Sequence, residues 1–92
     1  MNYETLYIID NSISDEAKEA VIAKFEKVIT DSKGTVEKTD KWGSRKLAYP
    51  INYKNDGFYV LMTFTADPSL PKELERQMRI ADEVIRFIVI KK

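Results

Sequence analysis

The sequence predicts an α+β domain built in the order strand, helix, strand, strand, helix, strand. Three observations carry this. Two segments place apolar residues three and four apart; four segments are rich in β-branched and aromatic residues; and the joints between them are Asp-Asn-Ser, Gly, Asn-Asp-Gly and Asp-Pro-Ser-Leu-Pro clusters. Ninety-two residues with 43% hydrophobic content suit one core, so residues 1–92 are expected to form a single domain.

Tyr3 to Ile9 is the first strand, ending at Asp10-Asn11-Ser12, whose side chains bond nearby backbone and favour a turn. Ala17, Ala20/Val21, Phe25 and Val28/Ile29 then form one apolar stripe of a helix. Ser14 can cap it, Asp15 and Glu16 suit the positive end of its dipole, and Gly34 is expected to close it as a left-handed residue. Thr35 to about Tyr53 reads as a long strand with a bulge or bend at Gly43, and Pro50, which cannot donate to a ladder, puts it at a sheet edge. Asn55-Asp56-Gly57 has hairpin-turn chemistry, and Phe58 to Thr65 is the third strand, antiparallel to the second. Asp67-Pro68-Ser69-Leu70-Pro71 opens a second helix, with Leu70, Leu74, Met78 and Ala81 on one stripe, running to about Asp82. Val84 to Ile90 is the last strand.

That order is the ferredoxin-like split βαβ (βαββαβ): a four-stranded antiparallel sheet with two helices on one face and the other face left open. The strands carry apolar residues at both parities, as in Leu6 and Ile8 against Tyr7 and Ile9, or Leu61 against Val60 and Met62. Two buried faces follow, and a docked protein or stacked bases would cover the second. Short strands of small domains are also often apolar on both sides with no partner.

Fifteen basic and fifteen acidic residues cancel, but not locally. Lys33, Lys38, Lys41, Arg45, Lys46 and Lys54 against Glu37 and Asp40 leave the 33–54 stretch at +4; Arg86, Lys91 and Lys92 add three cations at the last strand; both helices are net acidic. Clustered cations with interleaved Trp42 and Tyr49 suit an RNA backbone and its unstacked bases, although a basic edge strand is equally a guard against sheet-to-sheet aggregation, and Trp42 beside Gly43 could be a plug at a bend.

With no Cys and no His, disulfides, thiolate sites and the commonest general base drop out, and no cofactor or metal is expected. Adjacent carboxylates in Asp15-Glu16 and Asp82-Glu83 sit at element ends, where capping or solvation explains them, so no enzyme is expected. An acylphosphatase-like hydrolase would need Gly and Arg in the first loop, and Asp10-Asn11-Ser12-Ile13 has neither. The RNA-recognition motif fails too: in Asp56-Gly57-Phe58-Tyr59-Val60, Asp56 replaces a basic residue and Val60 a stacking aromatic. Apolar runs such as Phe87-Ile88-Val89-Ile90 fall far short of the ~20 residues of a membrane span, and a cytoplasmic protein is expected.

Gly43-Ser44-Arg45-Lys46-Leu47-Ala48-Tyr49-Pro50-Ile51-Asn52 resembles the signature of bacterial small-subunit ribosomal protein six, a Gly followed by basic residues and then Leu-Ala-Tyr-Pro-Ile. Tyr3-Glu4, Tyr59-Val60-Leu61-Met62 and Asp82-Glu83-Val84-Ile85-Arg86 also look like their counterparts in that family, so the likeness spans the chain. The resemblance implies the ferredoxin-like fold and a structural role. It further implies binding to the central domain of small-subunit ribosomal RNA as a heterodimer with small-subunit ribosomal protein eighteen, at a junction already shaped by protein fifteen. The same surface would serve feedback on the protein's own messenger RNA. No membrane and no small-molecule substrate are implied.

Carried over residue by residue, Arg45 and Lys46 match the family's basic pair and are the first candidates for phosphate contacts, with Trp42 and Tyr49 flanking them. Arg79, Arg86, Lys91 and Lys92 are further RNA candidates. Leu6, Ile8, Tyr59, Leu61, Ile88 and Ile90, on the open face, are the candidates for the protein partner. Ser44 and Asn2 stand where relatives often have basic residues, so two phosphate contacts are expected to be missing. Some relatives carry an acidic tail modified by added glutamates; with Lys91 and Lys92 last in this sequence, that is not expected here. The competing function is a ferredoxin-like dimerising or regulatory domain whose open face pairs with itself or holds a ligand, and which has no need of the basic segment.

Overall fold

A computed structural model describes residues 1–51 and 54–92, with side chains for 1–47 and 55–92. The elements are β1 (Asn2–Ile9), α1 (Asp15–Asp31), β2 (Thr35–Ile51), β3 (Lys54–Thr65), α2 (Leu70–Ile80) and β4 (Val84–Lys91). The sheet is antiparallel in the order β2-β3-β1-β4, so β2 and β4 are its edges, as Pro50 required of β2. This is the ferredoxin-like split βαβ arrangement.

Strand alternation sorts the core. Tyr3, Thr5, Tyr7 and Ile9 of β1 and Val60, Met62 and Phe64 of β3 point to the helices, where they meet Val21, Ile22, Phe25 and Ile29 of α1 and Leu70, Leu74 and Met78 of α2. Tyr7 meets the Phe25 ring edge-on at 5.3 Å, and its buried hydroxyl has no hydrogen-bond partner among the described residues. The α1 stripe differs in detail from the sequence reading. Ile22 and Lys18 are buried and Ala20 is exposed; the Lys18 ammonium lies 5.2 Å over the Phe58 ring and 3.5 Å from the Asp15 carboxylate.

Three further local expectations are corrected. The left-handed residue after α1 is Lys33 (φ 66), not Gly34. Lys33 N–H bonds Thr30 O and Gly34 N–H bonds Ile29 O, the paired bonds of a Schellman cap with Gly34 one place further out. Glycine is needed there for room, since a Cβ would lie 2.8 Å from Ile29 Cγ2 and 2.9 Å from Thr65 O. Next, Asn55-Asp56-Gly57 is not a turn: β3 begins at Lys54, which pairs with Ile51, and Asp56 and Gly57 face Lys46 and Arg45 inside the ladder. The end of the second strand at Asn52 and Tyr53 lies outside the described residues. Lastly, α2 stops at Ile80, two residues short of Asp82, where the Ala81 N–H bonds Met78 O and the chain turns into β4.

Both helix entries follow their side chains. Ser14 Oγ accepts the Ala17 N–H at 3.1 Å, and before α2 the Asp67 carboxylate accepts both the backbone N–H and the hydroxyl of Ser69 at 3.0 Å, which holds its pKa below the ordinary value.

Candidate interaction face

The face opposite the helices is read across the sheet in rows. Nearest the β2–β3 hairpin, Tyr59, Ile8 and Arg86 are cross-strand neighbours; behind them lie Asp40, Leu61, Leu6 and Ile88, then Lys38, Thr63, Glu4 and Ile90. All six candidates for partner contact therefore share one surface. Its β2 side is half-covered and its β4 side is open: Ile88 is 56% and Ile90 47% exposed, and a depression of about 270 Å³ lies between Leu6, Ile8, Arg86, Phe87 and Ile88. Lys92 Nζ stands 3.7 Å from the Glu4 carboxylate at the rim.

Trp42 owes its place to a bulge. The ladder slips between Lys41 and Gly43, leaving Trp42 unpaired, and Gly43 takes φ 85. No described atom lies within 4 Å of where a Gly43 Cβ would sit, so glycine serves conformation there and not space. The bulge lays the indole parallel to the Tyr59 ring, centroids 6.3 Å apart and planes 7° from parallel, with 39% of Trp42 still exposed.

Arg45 and Lys46 follow, both exposed, on β2 beyond the last residue of β1. As successive strand residues they point to opposite sides. Arg45, opposite Gly57, shares the open face; Lys46, opposite Asp56, shares the side where Asn11 Nδ2 donates to Ser44 Oγ (3.0 Å) and Asp56 Oδ2 (3.3 Å). The local +4 is partly spoken for, because Lys41 Nζ donates to both oxygens of Glu19 on α1 at 2.6 and 2.9 Å, and Thr39 Oγ1 donates to Glu26 at 2.6 Å.

The remaining RNA candidates do not gather with these. Arg79 lies in the helix layer on the last turn of α2, 4.0 Å from Glu75; Lys91 and Lys92 sit at the far end of the sheet, beside Asn2 and Tyr3; Arg86 shares the row of Tyr59 and Ile8 but stands on the opposite edge strand, β4. The side chain of Tyr49 lies outside the described residues. Sequence reasoning misses Gly57 and Asn11 as residues that shape the site. A Cβ on Gly57 would come 2.2 Å from Ile8 Cγ2, so Gly57 is what lets Ile8 lie flat on the face. Asn11 carries only its place in a turn cluster as a signal.

The family model of ribosomal protein S6 matches residues 2–91. The small ribosomal subunit protein bS6 of Clostridium novyi is 55% identical over 89 residues, covering 97% of this chain and 94% of that one. The chain belongs to the ribosomal protein S6 family. The bS6 of Exiguobacterium sibiricum is 48% identical over the same shares. The crystal structure of 30S ribosomal protein S6 from Thermotoga maritima superposes with a TM-score of 0.94 at 32% identity, covering 99% of this chain and 86% of that one. The family is structural and not enzymatic, a component of the cytoplasmic small ribosomal subunit of bacteria.

Proposed function

We propose that this family member binds the central domain of small-subunit ribosomal RNA jointly with small-subunit ribosomal protein eighteen, RNA lying along the β2 edge and the protein covering the β4 side of the open face. The observation that carries this reading is the division of labour between the two edges. Arg45 and Lys46 stand exposed at one, Ile88 and Ile90 are exposed at the other, and α1, the net acidic helix, lies behind the sheet. Within Leu70–Ile80, α2 has Lys72, Arg76 and Arg79 against Glu73 and Glu75, so it is not the net acidic helix expected from the sequence of the 67–83 stretch. A chain of zero net charge has no long-range pull on a polyanion, so two local phosphate contacts and a bound partner together supply what neither supplies alone.

The test is RNA affinity against salt for the heterodimer. Replacing Arg45 and Lys46 by Ala removes two phosphate contacts and flattens the log–log slope by about 1.8 units, at about 0.9 per contact. Unchanged affinity and slope would refute the RNA assignment. Adding protein eighteen should turn feeble RNA binding by the isolated chain into firm binding, and Ile88→Asp should abolish that gain; equal affinity with and without the partner would refute the joint arrangement.

A further inference from the structure

We propose that the outer face of the Trp42 indole is a stacking site for one unpaired RNA base. The inference deepens the RNA reading above and rests on it. Two cations reaching phosphates hold a backbone but read nothing of its bases, whereas a single exposed indole accepts the π-face of a base only where that base has left a helix.

The geometry supports this in three ways. Trp42 is on the edge strand, so its inner face is taken by Tyr59 at 6.3 Å and 7°, while among the described residues no strand lies beyond β2 to cover the other face. The bulge fixes the ring: Gly43 at φ 85 lifts Trp42 out of the ladder, and the Tyr59 ring behind it stops the indole from folding onto the sheet, so little freedom remains to be lost when a base arrives. Arg45, on the open-face side of the same strand two residues beyond Gly43, stands where the phosphate of a base stacked on Trp42 can be met. An exposed indole held this way by a bulge and a second ring exceeds what a plug for the bend requires, since no described atom crowds Gly43.

Trp42 is the sole tryptophan of the chain, which makes the test direct. In the heterodimer bound to a ribosomal RNA fragment, each unpaired nucleotide is replaced in turn by an abasic one and affinity is measured with the native chain, with Trp42→Leu and with Trp42→Phe. Stacking predicts one position whose base is worth about tenfold in affinity to the native chain, nearly as much to Trp42→Phe, and nothing to Trp42→Leu, with the salt slope the same in all three. A 5-fluorotryptophan label in this chain alone should then shift its ¹⁹F resonance on binding the intact RNA and not on binding the abasic one. The proposal is overturned if no position couples to Trp42, or if the resonance responds equally to both RNAs. Loss of the Arg45 and Lys46 salt effect would instead bring down the RNA reading itself, so the two failures are distinguishable.

Discussion

Gly57→Ala tests whether the open face is built as described. The new Cβ would lie 2.2 Å from Ile8 Cγ2, where ordinary carbon contacts are about 3.5–4.0 Å, so the Ile8 methyl must withdraw by about 1.3–1.8 Å. The next nearest atoms, Ile9 O at 3.7 Å and Ile8 Cβ at 3.8 Å, need not move, and the whole conflict falls on one branched side chain with few free rotamers. Ile8 is only 8% exposed between Tyr59 and Arg86, so turning it disturbs the row. Overpacking of this kind costs about 1–3 kcal/mol; at about 2 kcal/mol a domain of this size loses roughly 10 °C of Tm.

The assay is a double-mutant cycle by urea unfolding with Ile8→Ala. With Ile8 truncated the clash is gone, and Gly57→Ala becomes neutral or stabilising by up to about 1 kcal/mol through the unfolded chain, because Gly57 has no positive φ to lose. An equal loss whether or not Ile8 is truncated would refute the argument. It would mean that Gly57 serves the backbone, as a turn glycine does.

Two other outcomes follow from the helix layer. Glu73 accepts from Arg76 (2.8 and 3.0 Å) and Gln77 (2.9 Å), which holds its pKa at about 2; a carboxylate lowered on folding stabilises above its ordinary value of 4.5 and loses that contribution as pH falls from there to about 2. Melting midpoints should therefore drop less between pH 4.5 and 2 in Glu73→Gln than in the native chain, by a margin that shrinks in added salt because the group is exposed; parallel pH profiles would contradict it. Tyr7→Phe should be neutral or stabilise by up to about 1 kcal/mol, since the hydroxyl is buried without a partner among the described residues, its pKa raised by burial and then by Glu26 and Glu19; a loss above about 1 kcal/mol in urea unfolding would show that the hydroxyl has a partner.

What is legible in the sequence is what repeats locally. Leu70, Leu74, Met78 and Ala81 are all buried as their spacing requires, β1 alternates, and Gly43 sits at the bulge. What is not legible depends on residues far away in the chain. Gly57 looks like a turn residue because its neighbours Asn55 and Asp56 do, yet its reason is Ile8, 49 residues earlier and one strand over. Gly34 looks like the left-handed cap because glycine usually is, yet Thr65 O is what forbids a side chain there and Lys33 takes the positive φ. Arg45 and Lys46 read as one basic patch because they are adjacent, and strand alternation is what separates them.

That separation bears on the RNA contact proposed for the β2 edge. Two cations on one face would favour a phosphate pair lying over the sheet; two on opposite sides of an edge strand favour a backbone running along the edge, gripped from both sides. On the helix side Lys41 is committed to Glu19 and Thr39 to Glu26, so Lys41 adds little to a phosphate grip at this edge. The β4 side sets the apolar Ile88 and Ile90 between Arg86 at one end and Lys91 at the other, so its cations are not adjacent as Arg45 and Lys46 are. Backbone grip at an edge fixes position without reading bases, and an indole stacks with any base that has left a helix, so the proposed β2 site would select an unpaired nucleotide and not its identity.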